Sequence, residues 1–302
     1  MPSYFRAVPP AILTLESVTR RFRAGVPGCS AEVTALSDVS FQVVRGECVG
    51  VAGAAGAGKT TLLMCAAGLI VPDAGTVRSA RCVYASAHSV AHPFLGVRAS
   101  LEFAASVREL EGDSTEPDID NLLARTGLSA LGRSRIGTLT PGLRASVMLA
   151  HSLLGAPELL CIDDPLALLS AVERVQFAVL LRALCAEGLT VIFSARDPAL
   201  CDSIATRVVL LQGGRVIAAR RPRRTLELSV GAPRMAASAL SARLPSVMRR
   251  GRAVRVALDR ISAEEVLAAC VALGISVTGS RVINVRQVPG RVAERDTETN
   301  EG

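Results

Sequence analysis

Two kinds of hydrophobic pattern alternate along the chain. Residues 11–18 (AILTLESV) and 40–53 (SFQVVRGECVGVAG) hold alternating or continuous apolar runs rich in Val, Ile and Leu. They predict strands, joined by the Gly- and Pro-containing loop RAGVPGCS. The run TLLMCAAGLI is apolar and made of helix formers, and predicts a helix stopped by Pro72. Short strands are expected at 76–77 and 82–85, and a mainly helical stretch over 97–132, interrupted by the acidic segment EGDSTEPD. Pro141-Gly142 opens a further helix, LRASVMLAHSLLG, which ends at Gly155-Ala156-Pro157. There follow a strand LLCID at 159–163, a helix over about 171–185, a strand LTVIFSA at 189–195 and a hairpin RVVLLQ-GG-RVIA, which closes the main domain near residue 218. Strands alternating with helices around buried apolar runs predict an α/β domain with a substantially parallel sheet.

Beyond residue 218 the pattern changes. Residues 219–249, opening on ARRPRRT, read as a basic linker. Residues 250–290 read as strand, helix and strand (GRAVRVALDR, ISAEEVLAACVALG, ISVTGSRVINV), a small βαβ-like module. The polar tail 291–302 is expected to fray.

Composition narrows the class. Half of the 302 residues are hydrophobic and 20% are charged, the balance of a globular chain rather than a disordered one. No apolar run reaches the roughly 18–20 residues that span a bilayer. The N-terminus MPSYFRAVPP lacks the basic and continuous apolar regions of a signal peptide, so a cytosolic protein is expected. The eight cysteines contain no CxxC pair and several sit in apolar runs. They are expected to be small buried hydrophobes, not disulfides or zinc ligands. His88, His92 and His151 form no metal-ligand spacing. The net charge is +7, and 33 of the 34 basic residues are arginine. The basic runs at 220–224 and 249–252 could serve phosphates of lipid or nucleic acid, but they lack interleaved aromatics and read first as solvated boundary charge, which makes a nucleic-acid partner unlikely.

Lys59 is the only lysine, and it lies in a glycine-rich loop. The run Gly53-Ala54-Ala55-Gly56-Ala57-Gly58-Lys59-Thr60, followed by Thr61, matches GxxxxGK[ST] and falls between an expected strand and an expected helix. Glycines there let successive backbone amides surround a β-phosphate, and the helix adds its positive dipole end. Lys59 is expected at the β- and γ-phosphates of a nucleoside triphosphate, ATP above all. The Thr60 hydroxyl is expected on Mg²⁺. The strand ending Asp163-Asp164 supplies the acidic half: Asp163 for the metal, Asp164 nearest the attacking water.

With these elements in place, residues 12–218 resemble the ATP-binding cassette of ABC transporters. ALSDVSFQVVRGECVGVAGAAGAGKTTLL, AAGLIVPDAGTV and LLQGGRVI look like that family's framework. The resemblance implies a P-loop NTPase fold of the ABC type with a helical subdomain at about 97–155 and a small C-terminal α+β module. It places Phe22 where the family stacks an aromatic on adenine. It also implies ATP and Mg²⁺ as ligands, a separate transmembrane permease and a second ATP-binding subunit as partners, and a place on the inner face of the membrane. The Lys-Thr-Thr variant and the C-terminal module are most similar to subunits of ABC-2-type exporters.

The departures concern turnover. The family's Gln that reaches toward Mg²⁺ falls at Ala87, with His88 adjacent. The signature LSGGQ, which caps the partner's γ-phosphate, aligns with Leu139-Thr140-Pro141-Gly142-Leu143. There Thr140 keeps a hydroxyl, Pro141 removes a backbone donor and Leu143 removes an amide side chain. Asp164 replaces the catalytic glutamate and is shorter by about 1.5 Å of reach. Leu169-Ser170 stands for the interface Leu-Asp, and Arg196 for the switch histidine. Binding of ATP with slow or lost hydrolysis is therefore expected. The alternative is a nucleotide-binding regulatory protein without transport-linked turnover. Cassette proteins acting on nucleic acid or ribosomes usually carry two cassettes or long coiled-coil insertions, and neither is present.

Overall fold

The computed structural model describes residues 10–26, 29–86, 92–110, 118–244, 246–258 and 263–285. The chain divides into two compact units, residues 1–221 and 222–302.

In the first unit a six-stranded sheet runs in the order β5-β6-β7-β3-β8-β9, from β3 (Cys48–Ala52), β5 (Cys82–Ser86), β6 (Leu159–Asp163), β7 (Thr190–Ala195), β8 (Arg207–Gln212) and β9 (Arg215–Arg220). All neighbours pair parallel except β8 and β9, which are joined by the left-handed pair Gly213-Gly214. A three-stranded antiparallel sheet, β2-β1-β4, uses β1 (Ala11–Val26), β2 (Cys29–Val44) and β4 (Ala74–Ser79).

The near-continuous apolar strands make sense because two cores flank the parallel sheet. Along β6, Leu160 and Ile162 face one core while Leu159 and Cys161 face the other; along β7, Val191 and Phe193 oppose Ile192. A strand's period of two serves both faces, so the central positions are apolar on both sides. The helices α1 (Lys59–Ala66), α2 (Val97–Leu110), α3 (Ile119–Arg125), α4 (Pro141–Leu153), α5 (Ala171–Ala186) and α6 (Pro198–Ile204) complete the unit. The P-loop α/β architecture is the expected one.

Several boundaries move. The run 40–53 is two strands in different sheets, because a turn after Val44 leads through Gly46 at φ +74° into β3. The expected loop RAGVPGCS is largely hairpin, with Val26 opposite Cys29. Helix α1 ends well before Pro72, at the left-handed Gly68. Helix α6 lay unread in the sequence. The acidic break 111–117 lies outside the described residues.

The second unit corrects the linker assigned to 219–249. Past the end of β9, that stretch holds β10 (Arg223–Val230), α7 (Pro233–Ser241) and β11 (Val247–Arg250). With β12 (Ala253–Ala257), α8 (Ala263–Ala272) and β13 (Val277–Val285) they form a wholly antiparallel sheet in the order β11-β12-β10-β13. Each of the two βαβ halves leaves a gap of one strand, filled by a strand of the other half. This is the split-βαβ, ferredoxin-like arrangement. The module expected over 250–290 is the second of these halves. Leu226, Leu228, Val254 and Val256 pack under Leu240 of α7 and Val266 of α8. The opposite sheet face carries Glu227 between Arg255 and Arg281 at 2.6 and 2.5 Å.

Candidate nucleotide site

The loop 53–58 leaves β3 and enters α1. Its ends are anchored: Gly53 N–H donates to Ala195 O at the end of β7, and Ala57 O accepts from Gly214 N. Gly58 sits at φ +99°, and a Cβ there would lie 2.3 Å from the carbonyl oxygen of Ala35, so no other residue fits without moving the β2 backbone. Ala54, Ala55 and Gly56 are exposed. The amides of Gly56, Gly58, Lys59, Thr60 and Thr61 have no hydrogen-bond partner among the described residues. Backbone donors left over in this way must be met from outside, by water or by an anion.

Lys59 folds back over the loop, its Nζ donating to Gly53 O at 2.8 Å and Ala54 O at 2.7 Å. Burial pushes its pKa down, against the carboxylates of Asp164 and Asp163. The Thr60 hydroxyl donates to Asp163 Oδ2 at 2.7 Å, so hydroxyl and carboxylate converge across the α1–β6 gap. Asp163 is held on its other side by Ser194 Oγ at 2.5 Å, and Tyr84 Oη reaches Oδ2 at 3.3 Å. Burial and this carboxylate raise the Tyr84 phenol to about 12. Sequence reading missed both Tyr84 and Ser194; Tyr84 midway along β5 and Ser194 next to the end of β7 lie on strands that flank β6, which is the signal that would have found them. Unpartnered amides, a lone lysine and a Thr–Asp pair are a donor set that fits triphosphate with Mg²⁺: Thr60 and Asp163 would hold the metal, and the loop amides and Lys59 the phosphates.

Asp164 follows in a left-handed conformation, φ +47°, with its N–H on Ser194 Oγ at 2.9 Å. Arg196 Nε stands 3.6 Å from its carboxylate. The two side chains therefore face each other. Phe22 is exposed, with the Arg20 guanidinium 4.8 Å from its ring centre. Ala87 and His88 lie outside the described residues.

The signature-like turn is brought to a different end. Thr140 caps α4, its Oγ accepting from Leu143 N at 3.4 Å, and Pro141 is the first helical residue. Gly142 N–H donates to Glu173 Oε1 at 2.8 Å, and Arg144 N–H to Thr140 O. The first turn of α4 thus has no unpartnered donor. Glu173 belongs to a capping box with Ser170 at the start of α5. Hydrogen bonds from the backbone of Ser170 and then of Gly142 pull its pKa down to about 2.

The family profile described as ABC transporter matches residues 36–167, which span the loop, α4 and Asp163. The first unit carries an ABC transporter ATP-binding domain. Among relatives of this domain, the daunorubicin resistance ATP-binding protein DrrA3 of Streptomyces coeruleorubidus is 32% identical over 197 residues, covering 61% of this chain and 62% of that protein. The Nod factor export ATP-binding protein I of Neorhizobium galegae is 28% identical over 240 residues, covering 75% and 67%. The sulfate/thiosulfate import protein CysA of a Synechocystis strain is 29% identical over 198 residues, covering 61% and 56%. Exporter and importer names thus both occur, and the chain spans less than two thirds of the length of DrrA3 and CysA. The ABC fold is matched in cbiO1 from Clostridium perfringens, at a TM-score of 0.59 and 22% identity over 70% of this chain and 88% of that one.

Proposed function

We propose that this chain binds ATP with Mg²⁺ as the nucleotide-binding subunit of a membrane ABC exporter of the ABC-2 type, and that its own turnover is slow. It pairs with a second ATP-binding subunit and reaches the inner face of the membrane through a separate permease. Nucleic acid is not its partner. Among the described residues no helix is long and apolar enough to cross a membrane.

The contrast between the two helix starts carries this reading. The α1 loop keeps unpartnered amides beside Lys59, Thr60 and Asp163, whereas the α4 turn is closed by Pro141, Thr140 and Glu173. When bound, Mg²⁺ supplies positive charge against the phosphate oxygens. Asp164 is one methylene short of the water that a glutamate would reach, and Arg196 stands beside it. Phe22 stacks on adenine once Arg20 is displaced.

A permease has a place to bind. A cavity of about 690 Å³ opens between β5, α2 and α4, lined by Leu95, Phe103, Val107, Met148 and Leu168. Phe103 and Leu168 are 57% and 61% exposed, as unpartnered apolar positions at a docking groove would be. His151 also lines it, held by Ser100 at 3.1 Å and with its pKa lowered by burial.

Phosphate release by the chain reconstituted with its membrane partner is the test. Slow release is expected, with Asp164→Glu raising it; turnover at ordinary transporter rates in the unaltered chain would sink the slow-hydrolysis reading. The second reading, a regulatory ATP-binding protein, is favoured by the closed α4 turn. It predicts that ATP binding persists while Asp164→Glu changes nothing.

A further inference from the structure

The arginines taken for linker charge stand on folded elements. From 228 to 258 the chain carries six arginines and no acidic residue. The stretch builds α7, β11 and β12, and α7 packs against both strands. Arg255 is held by Glu227, but Arg234, Arg243, Arg249, Arg250 and Arg252 are exposed and make no ion pair among the described residues. β11 is the edge strand of its sheet, and its turn to β12 is the left-handed Gly251 followed by Arg252. Met235 on α7 and Met248 on β11 lie among these charges, 76% and 63% exposed.

Charge on an edge strand guards against edge-to-edge pairing, but either sign does that work. Guarding does not account for a single sign carried across a strand, a turn and the neighbouring helix. Arginine-rich composition does not account for it either. The first unit has 21 basic and 19 acidic residues, while residues 222–285 have ten arginines against four acids.

We propose that the α7–β11–β12 side of the second unit is a docking surface for an anionic lipid bilayer. Guanidinium groups take phosphate oxygens bidentately, and flexible methionines among them suit the headgroup boundary. A single-stranded nucleic acid offers the same phosphates but needs a stacking platform. Residues 222–302 contain no Phe, Tyr, Trp or His. The surface acts without nucleotide, so it goes beyond the function proposed above and does not rest on it.

The test is sedimentation of the full chain with phosphatidylcholine vesicles, with and without phosphatidylglycerol. Binding is expected only with the anionic lipid, and is lost between about 0.1 M and about 0.5 M salt. Arg249→Glu, Arg250→Glu and Arg252→Glu together should weaken it at least 20-fold, since each guanidinium contributes roughly fivefold. Their nucleotide affinity should stay unchanged, and an unchanged far-ultraviolet circular dichroism spectrum reports that the second unit is folded. If the triple variant unfolds, Arg249→Ala with Arg250→Ala should still weaken binding several-fold. Lys59→Ala should bind vesicles normally, which separates this surface from the nucleotide site. Absent binding, equal binding to neutral vesicles, or tighter salt-dependent binding to a DNA duplex overturns the proposal.

Discussion

Helices α1 and α4 start in opposite ways. At α1 the donors of the loop and first turn have no partner within the chain, and a lysine lies across the loop. At α4 one donor is deleted by Pro141, the next is taken by the Glu173 carboxylate and a third by Thr140. A helix N-terminus attracts an anion in either case. At α4 the chain supplies that anion itself. The domain thus carries one start available to phosphate and one already filled by its own carboxylate.

The largest effect belongs to Lys59→Ala. Removing a charged donor that makes two hydrogen bonds costs about 3 kcal/mol or more, which is at least ~100-fold in ATP affinity. Titration with a fluorescent ATP analogue measures it. A loss below about fivefold would erase the distinction between the two turns, because the lysine would then be holding only the loop.

A smaller effect comes from opening α4. Glu173→Ala together with Pro141→Gly frees the Gly142 amide and restores a missing donor. On the proposed pairing with a second ATP-binding subunit, one added charge-assisted hydrogen bond to that subunit's nucleotide should raise ATP-dependent association by about tenfold. Light scattering with and without ATP reads this. The gain is offset in stability, because the Glu173 half of the capping box with Ser170 is lost. Unchanged association would mean that the α4 turn does not meet phosphate even when open.

The difference between the two starts was only half legible in the sequence. Gly53–Thr60 could be read because its backbone geometry demands glycines at fixed spacing, as Gly58 against Ala35 O illustrates. Asp163 was legible because it ends a five-residue apolar strand. Pro141 could be seen to remove a donor, but not that Glu173, 31 residues away, would fill the next one. Ser194 and Tyr84 reach Asp163 only because the sheet order sets β5 and β7 on either side of β6. The second unit was missed for a related reason. Its arginines look like linker charge in sequence, while the apolar alternation of TLELSV and VRVA becomes a core only when β10 and β12 pair.

The smallest effect concerns pH. The Glu173 carboxyl is lowered from 4.5 to about 2 by the Ser170 and Gly142 amides, so the folded state binds this proton less readily than the unfolded chain does. Its stabilising contribution is therefore full above about pH 4.5 and is lost as pH falls toward about 2. Glu173→Gln keeps an acceptor for Gly142 but has no proton to gain. The variant should be less stable than the wild-type chain at neutral pH, and the gap should close steadily on acidification. Thermal unfolding of both chains from neutral pH to about pH 2.5 measures that gap. A gap that stays constant with pH would show that Glu173 holds α4 by shape alone, leaving the turn closed but without a resident charge.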